Sequence, residues 1–240
     1  YVPVKCGKCM ECRKQKQREW IVRLSEEWKA HPKDLKFVTL TISDKAFYEL
    51  RELKNETEND LCTKAVRRWL ERIRKKTKKS VRHWFVTELG EEKGRIHLHG
   101  FVWANAQLIF DTWKYGYVYI GNFVNEKSIF YMTKYMLKQN PIDKSFVGKV
   151  LCSAGIGSSY TKSFNACQNA YKKGQTNECY RLRSGKKINL PQYYKLKLYS
   201  DEERDALWIE KQESGYRYIC GEKVRVDDEE SYNSILAFYQ

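Results

Sequence analysis

The chain has 240 residues, with 45 Lys or Arg against 30 Asp or Glu and a formal net charge of +15. A hydrophobic content of 42%, with 14% aromatics, is ample for a packed core, and no apolar run approaches the roughly 20 residues of a membrane helix, so a spanning protein is excluded. The charge points to a polyanionic partner, nucleic acid being the simplest, although ribosomal and membrane-surface proteins carry similar charge. Eight cysteines without a secretory signal fit reduced thiols or metal ligands in a cytosolic compartment. The chain opens on Tyr1 rather than methionine, which leaves room for an upstream segment.

In chain order, Cys6, Cys9 and Cys12 stand among basic residues, and a helical period then runs over about 11–30 with Trp20, Ile21, Leu24 and Trp28 as its apolar stripe. His31-Pro32 ends it, because proline disfavours helical geometry in the residue before it. Residues 37–42 are rich in β-branched side chains and predict the first strand. Residues 57–79 predict a strongly basic helix with Val66, Trp69, Leu70 and Ile73 on its inner face. Strands at about 82–89 and 95–103 follow, joined as a hairpin by Gly90-Glu91-Glu92-Lys93-Gly94. A short helix at 106–114, a strand at 116–121 and a helix at 125–139, ended by Asn140-Pro141, complete the periodic part. That order predicts an α+β fold, an antiparallel sheet with helices on one face.

Past Pro141 the periodicity weakens: 164–172 reads as helix, 179–190 as a hairpin around Ser184-Gly185, and 201–213 as helix. Three parts result: a cysteine-containing basic segment and helix over 1–31, a core over 32–140, and a C-terminal extension over 141–240 packed on or next to that core.

The run Arg95-Ile96-His97-Leu98-His99-Gly100 carries the strongest chemical signal. Side chains alternate across a strand, so both imidazoles project from one face, where two nitrogens can converge on one cation. With the hairpin loop centred between Glu92 and Lys93, Glu88 falls opposite His97 and shares that face. Packed or solvated histidines are the plain alternative for such a strand. Against it, half of the chain's four histidines sit here, with a carboxylate in register. Two imidazoles and a carboxylate suit Mg²⁺ or Mn²⁺, whereas zinc more often recruits thiolates. His83 and His31 read as structural.

A second signal is Tyr131-Met132-Thr133-Lys134-Tyr135-Met136-Leu137-Lys138, in which the two tyrosines are neighbours on one helix face with Lys134 and Lys138 beside them. Two core tyrosines on an amphipathic helix are the plain alternative. A phenol is tyrosinate in only about one molecule in a thousand at pH 7, a penalty of roughly 4 kcal/mol. Neighbouring ammonium groups can lower its pKa, and a cation polarises the phosphate it would attack.

With these motifs in place, residues 37–138 resemble the HUH endonucleases, specifically the rolling-circle replication initiators of small single-stranded DNA phages of the microvirus, gokushovirus-like type. Residues 37–41 look like their first strand motif, the His97-Leu98-His99 run like their metal motif, and Tyr131 to Lys138 like their two-tyrosine motif. The Cys6-to-Arg13 and Leu190-to-Lys195 runs are also similar. The resemblance implies a ferredoxin- or RRM-like sheet and nicking of one strand at a phage origin, with a 5′-phosphotyrosine link and a free 3′-hydroxyl primer. It also implies a second transfer that closes the displaced strand, a host helicase and polymerase as partners, and the cytoplasm of a bacterial host.

The candidate site is therefore His97, His99 and Glu88 for the metal, Tyr131 and Tyr135 as nucleophiles, and Lys134 and Lys138 assisting by charge. Arg67, Arg68, Lys75, Lys76 and Arg95 are candidates for DNA phosphate contacts, with a solvated helix face as the alternative. Tyr115, Tyr117 and Tyr119 are candidates for stacking on unpaired bases, core packing being the simpler role. Cys6, Cys9 and Cys12 offer three thiolates where a structural Zn²⁺ usually takes four ligands, and three reduced thiols without metal remain the alternative. Rival functions are a non-catalytic single-stranded DNA-binding module and an HUH transposase or relaxase.

Overall fold

The computed structural model describes residues 6–7, 9–90, 94–141, 143–219 and 222–238. Contacts divide the chain into two compact units, one of residues 27–156 and one of residues 1–26 with 157–240. The parts set apart in sequence as 1–31 and 141–240 thus largely share a unit, and the central unit runs on to Ile156. The first helix, α1 (Met10–Ala30), belongs to both, its last four residues falling in the central unit.

The central unit contains β1 (Leu35–Thr41), α2 (Asp44–Leu50), α3 (Glu58–Thr77), β2 (His83–Leu89), β3 (Ile96–Trp103), α4 (Ala106–Thr112), β4 (Val118–Gly121), α5 (Glu126–Lys134) and β5 (Val150–Cys152). The strands form one antiparallel sheet in the order β4-β1-β3-β2-β5. Helix α2 and strand β5 carry too few periodic residues to stand out in the sequence. Strand β5 joins because its backbone pairs with β2, Trp84 opposite Cys152 and Val86 opposite Val150.

Alternation sorts the side chains onto two faces. Val38, Leu40, Phe85, Leu98 and Val102 face a core that also takes Leu61, Ala65, Val66, Trp69 and Ile73 of α3, Leu50 of α2 and Ile109 of α4. Trp69 anchors it, edge-on to Phe85 at 5.9 Å and to Trp113 at 5.8 Å, with its indole N–H donating to Thr112 Oγ1 at 2.9 Å. Thr57 and Asp60 form a reciprocal capping box at the start of α3, satisfying two backbone donors that would otherwise lack partners. The face expected to carry helices therefore does. The end of α5 comes to the other face, where Tyr135 stacks on His99. Gly100 is required between them: a Cβ there would stand 2.0 Å from Trp84 O and 2.7 Å from the Phe85 ring.

The second unit contains most of α1, two short 3-10 helices (Ser158–Lys162 and Phe164–Asn169), the hairpin β6 (Cys179–Arg181) and β7 (Lys187–Asn189), α6 (Gln192–Leu198), α7 (Asp201–Glu213), the hairpin β8 (Tyr216–Ile219) and β9 (Glu222–Arg225), and α8 (Glu229–Phe238). The 164–172 helix expected from sequence is thus a 3-10 turn ending at Asn169. Its centre is aromatic: Tyr160 stacks on Tyr194 at 4.7 Å, Tyr194 Oη donates to Gly157 O at 2.8 Å, and Tyr180 Oη donates to the buried carboxylate of Glu26 on α1. No described helix is long and apolar enough to cross a membrane.

Candidate metal centre and nucleophile helix

The β2–β3 register sets Glu88 opposite His97 and Val86 opposite His99, so Glu88, His97 and His99 share one sheet face. One ligand atom from each lies within 4.8 Å of the others. The centre of the connecting loop, at Glu92 and Lys93, lies outside the described residues, while Gly94 enters β3 from a left-handed φ of +59° that favours glycine. Strand β1 contributes a residue the sequence reading did not single out. Thr39 stands opposite His99, and its Oγ1 lies 3.1 Å from His99 Nδ1. Knowing that β1 pairs with β3 would have been enough to find it.

With Nδ1–H donating to Thr39, His99 presents the Nε2 lone pair to the site. That atom is buried and has no hydrogen-bond partner among the described residues, although Glu88 Oε2 is 2.7 Å away and off the line of a hydrogen bond. A bare imidazole nitrogen and a carboxylate oxygen this close repel one another unless positive charge lies between them. The donor set and this orphaned nitrogen fit a hard divalent cation.

Burial alone would raise the Glu88 carboxyl, but the His99 ring and the Lys138 ammonium outweigh it and hold the group below its usual carboxylate value. Burial, and then charge on His99, lower His97. At neutral pH the pair is therefore a carboxylate and a neutral imidazole, the protonation states that ligation requires.

Asn125 caps α5, its side chain accepting from Ser128 N. The helix stops at Lys134, five residues before the end expected from sequence. There the backbone tightens to Met136 N–Thr133 O at 3.1 Å and Leu137 N–Lys134 O at 2.9 Å, and Asn140 Nδ2 ties the following segment to Leu89 O at 3.0 Å. Two expectations change with it. Lys138 does not lie one turn along the helix beside the phenols, because the early stop turns its ammonium to Glu88, 5.8 Å from the Tyr135 ring centre. Lys134 is exposed, with no side-chain partner among the described residues. The Tyr135 phenol is accordingly not eased toward ionisation: burial first, and then its hydrogen bond with Tyr131, push it above its ordinary value.

What the short helix does achieve is proximity. The Tyr135 ring lies on the His99 imidazole, and Tyr131 Oη is 3.1 Å from Tyr135 Oη. Tyr131 is 57% exposed, whereas Met132, Thr133 and Ile129 on the other side of α5 are buried.

The basic residues of α3 are not brought to this group. Arg67 and Lys75 are exposed, Arg68 pairs with Glu52 at 2.7 Å, and Lys76 pairs with Asp111 at 3.4 Å, all on the helix that covers the opposite face. Arg95 stands just before β3 and pairs with Asp44 at 2.6 Å. Tyr119, opposite Thr39 on the site face, and Tyr117 are exposed, whereas Tyr115 sits under Arg72, 4.6 Å from its ring centre. His83 is buried with Nδ1 2.9 Å from Ser153 Oγ, and His31 pairs with Glu27 at 3.7 Å; neither joins the site. Cys6, Cys9 and Cys12 form a separate cluster, and of the other candidate partners Cys220 lies outside the described residues.

Residues 35–140, which hold every member of the His–Glu–Tyr group, match a family model described as replication-associated protein, of the ORF2 type. No curated protein and no solved structure matches the chain.

Proposed function

Residues 35–140 belong to this replication-associated protein family, and from that premise we propose that the protein nicks and rejoins single-stranded DNA to start rolling-circle replication of a small phage genome. The observation that carries this reading is the meeting of two phenols with a two-imidazole, one-carboxylate group: Tyr135 stacked on His99, and Tyr131 one hydrogen bond further out.

Glu88, His97 and His99 would hold Mg²⁺ or Mn²⁺, which when bound acts as a Lewis acid on non-bridging phosphate oxygens. The chain's own part is orientation and nucleophilic attack. Thr39 fixes the His99 tautomer, and the flat stack against His99 fixes the Tyr135 ring. Tyrosine Oη forms a bond to phosphorus and gives up its proton to solvent. The bond from phosphorus to the 3′ oxygen breaks, and that oxygen takes up a proton to leave a 3′-hydroxyl. The 5′-phosphate stays on tyrosine, and the second tyrosine supplies a later transfer that closes the displaced strand. Extension of the 3′-hydroxyl falls to a host polymerase, with a host helicase opening the duplex.

The test is incubation with Mn²⁺ and single-stranded origin DNA, followed by a denaturing gel. A covalent protein–DNA band that disappears with EDTA and in the Tyr131→Phe/Tyr135→Phe double variant is expected. DNA binding with no covalent band from the wild type would leave only a binding module.

A further inference from the structure

The cysteine cluster at the start of α1 takes no part in the chemistry above, and it has the geometry of a second metal centre. Cys6, Cys9 and Cys12 each place Sγ within 4.8 Å of the other two, and Cys6 Sγ stands 3.9 Å from Cys12 Sγ. That separation is far too long for a disulfide, at about 2.05 Å. It is close to the edge of a tetrahedron around zinc, where Zn–S bonds of about 2.3 Å put sulfurs about 3.8 Å apart.

The local backbone accounts for the convergence. Arg13 N bonds to Cys9 O at 3.0 Å, the first helical bond, so Cys9 occupies the N-cap and Cys12 lies in the first turn. Gly7, at φ +74°, turns the chain back so that Cys9 N–H donates to Cys6 Sγ at 3.2 Å. An amide donor and a helix N-terminus both favour sulfur in its thiolate form. Three thiolates side by side repel one another, and a soft cation removes that repulsion.

We propose that Cys6, Cys9 and Cys12 form a three-thiolate site for Zn²⁺, with a water or chloride as fourth ligand, that pins the segment before α1 to the helix. Binding replaces three S–H bonds by three Zn–S bonds and releases three protons, so zinc uptake weakens in acid. The site is independent of Glu88, His97 and His99, which are hard-ligand residues in the other unit.

The experiment uses the full chain, reduced and stripped of metal, titrated with Co²⁺ in place of Zn²⁺. Wild type is expected to develop sulfur-to-cobalt charge-transfer absorption and intense tetrahedral ligand-field bands at one equivalent, both bleached by Zn²⁺. A His97→Ala/His99→Ala variant should keep these bands, which separates this site from the catalytic one. The Cys6→Ser/Cys9→Ser/Cys12→Ser variant should lose them while far-ultraviolet circular dichroism verifies that α1 persists. A wild type that stays free of charge-transfer absorption overturns the proposal, as does a triple variant that retains it. Recovery of a Cys6–Cys12 disulfide that forms in air and is untouched by prior zinc loading would also overturn it.

Discussion

The Tyr135 ring lies flat on the His99 imidazole, with ring centres 3.9 Å apart and planes 6° from parallel. This stack joins the two motifs that are 36 positions apart in sequence, and it divides the labour of the two tyrosines. Tyr135 is half-buried and clamped, whereas Tyr131 is exposed and held only through its hydroxyl contact with Tyr135.

The exposed phenol is the one a DNA strand reaches without rearrangement. Tyr131→Phe is therefore expected to cut formation of the first covalent adduct by about 10³-fold or more, the scale of removing a nucleophile. Tyr135→Phe keeps the ring on His99 and should leave the first adduct largely intact while blocking transfer to a second strand. Single-turnover gels with a labelled strand distinguish the two. Equal loss of the first adduct in both variants would refute the division.

Thr39 holds His99 by its Nδ1 at 3.1 Å, so Thr39→Val keeps the strand and removes the bond. Loss of such a partner typically weakens metal affinity by about 10–100-fold. Mn²⁺ titration by calorimetry should give that decrease with an unchanged stoichiometry. An affinity equal to wild type would mean that the threonine does not orient the ring.

Charge on α3 is not all available to phosphate. Arg68 and Lys76 are occupied by Glu52 and Asp111, while Arg67 and Lys75 are exposed. Each phosphate contact to a single strand contributes about 0.7 to the slope of log affinity against log salt. Arg67→Ala and Lys75→Ala should each reduce the slope by about that amount, whereas Arg68→Ala and Lys76→Ala should change it less. A slope insensitive to all four would assign the helix to a solvated face and leave DNA binding to the opposite side of the sheet.

In the second unit, Glu178 accepts from both Lys195 and Lys211. Burial would raise its carboxyl, but the two ammonium groups outweigh it and hold it below its ordinary 4.5. A depressed carboxyl contributes stability that is fully present above the unfolded value and is lost as the pH falls through the lower folded value. Glu178→Gln should thus lower stability by about 1–3 kcal/mol at neutral pH, chiefly through the more buried Lys195. The gap should close well below pH 4.5. Chemical denaturation at several pH values measures it, and a gap constant with pH would point to packing instead of charge.

Much of the fold was legible because period and punctuation agree with the tertiary result. The alternation through His97 and His99, the β-branched run at the first strand, and the capped basic helix with Val66, Trp69 and Ile73 inward each have one stable solution when a single face is buried. Even the Glu88–His97 pairing followed from hairpin arithmetic, since a slip by one residue would have reversed the face. Short elements were not legible: α2 and β5 are too brief to have a period, and β5 exists only because the edge of β2 offers it hydrogen bonds.

The sequence by itself determined which chemical groups exist and which local face each one takes, because helix and strand periods are properties of the backbone. Only the tertiary structure decided what meets what: the early end of α5 that sends Lys138 to Glu88, the Thr39 hydroxyl behind His99, and the placing of α3 on the face away from the metal group. Those outcomes depend on strand order and on where a helix stops, and both are set by packing and hydrogen bonds between segments distant in the chain, to which a local pattern carries no reference.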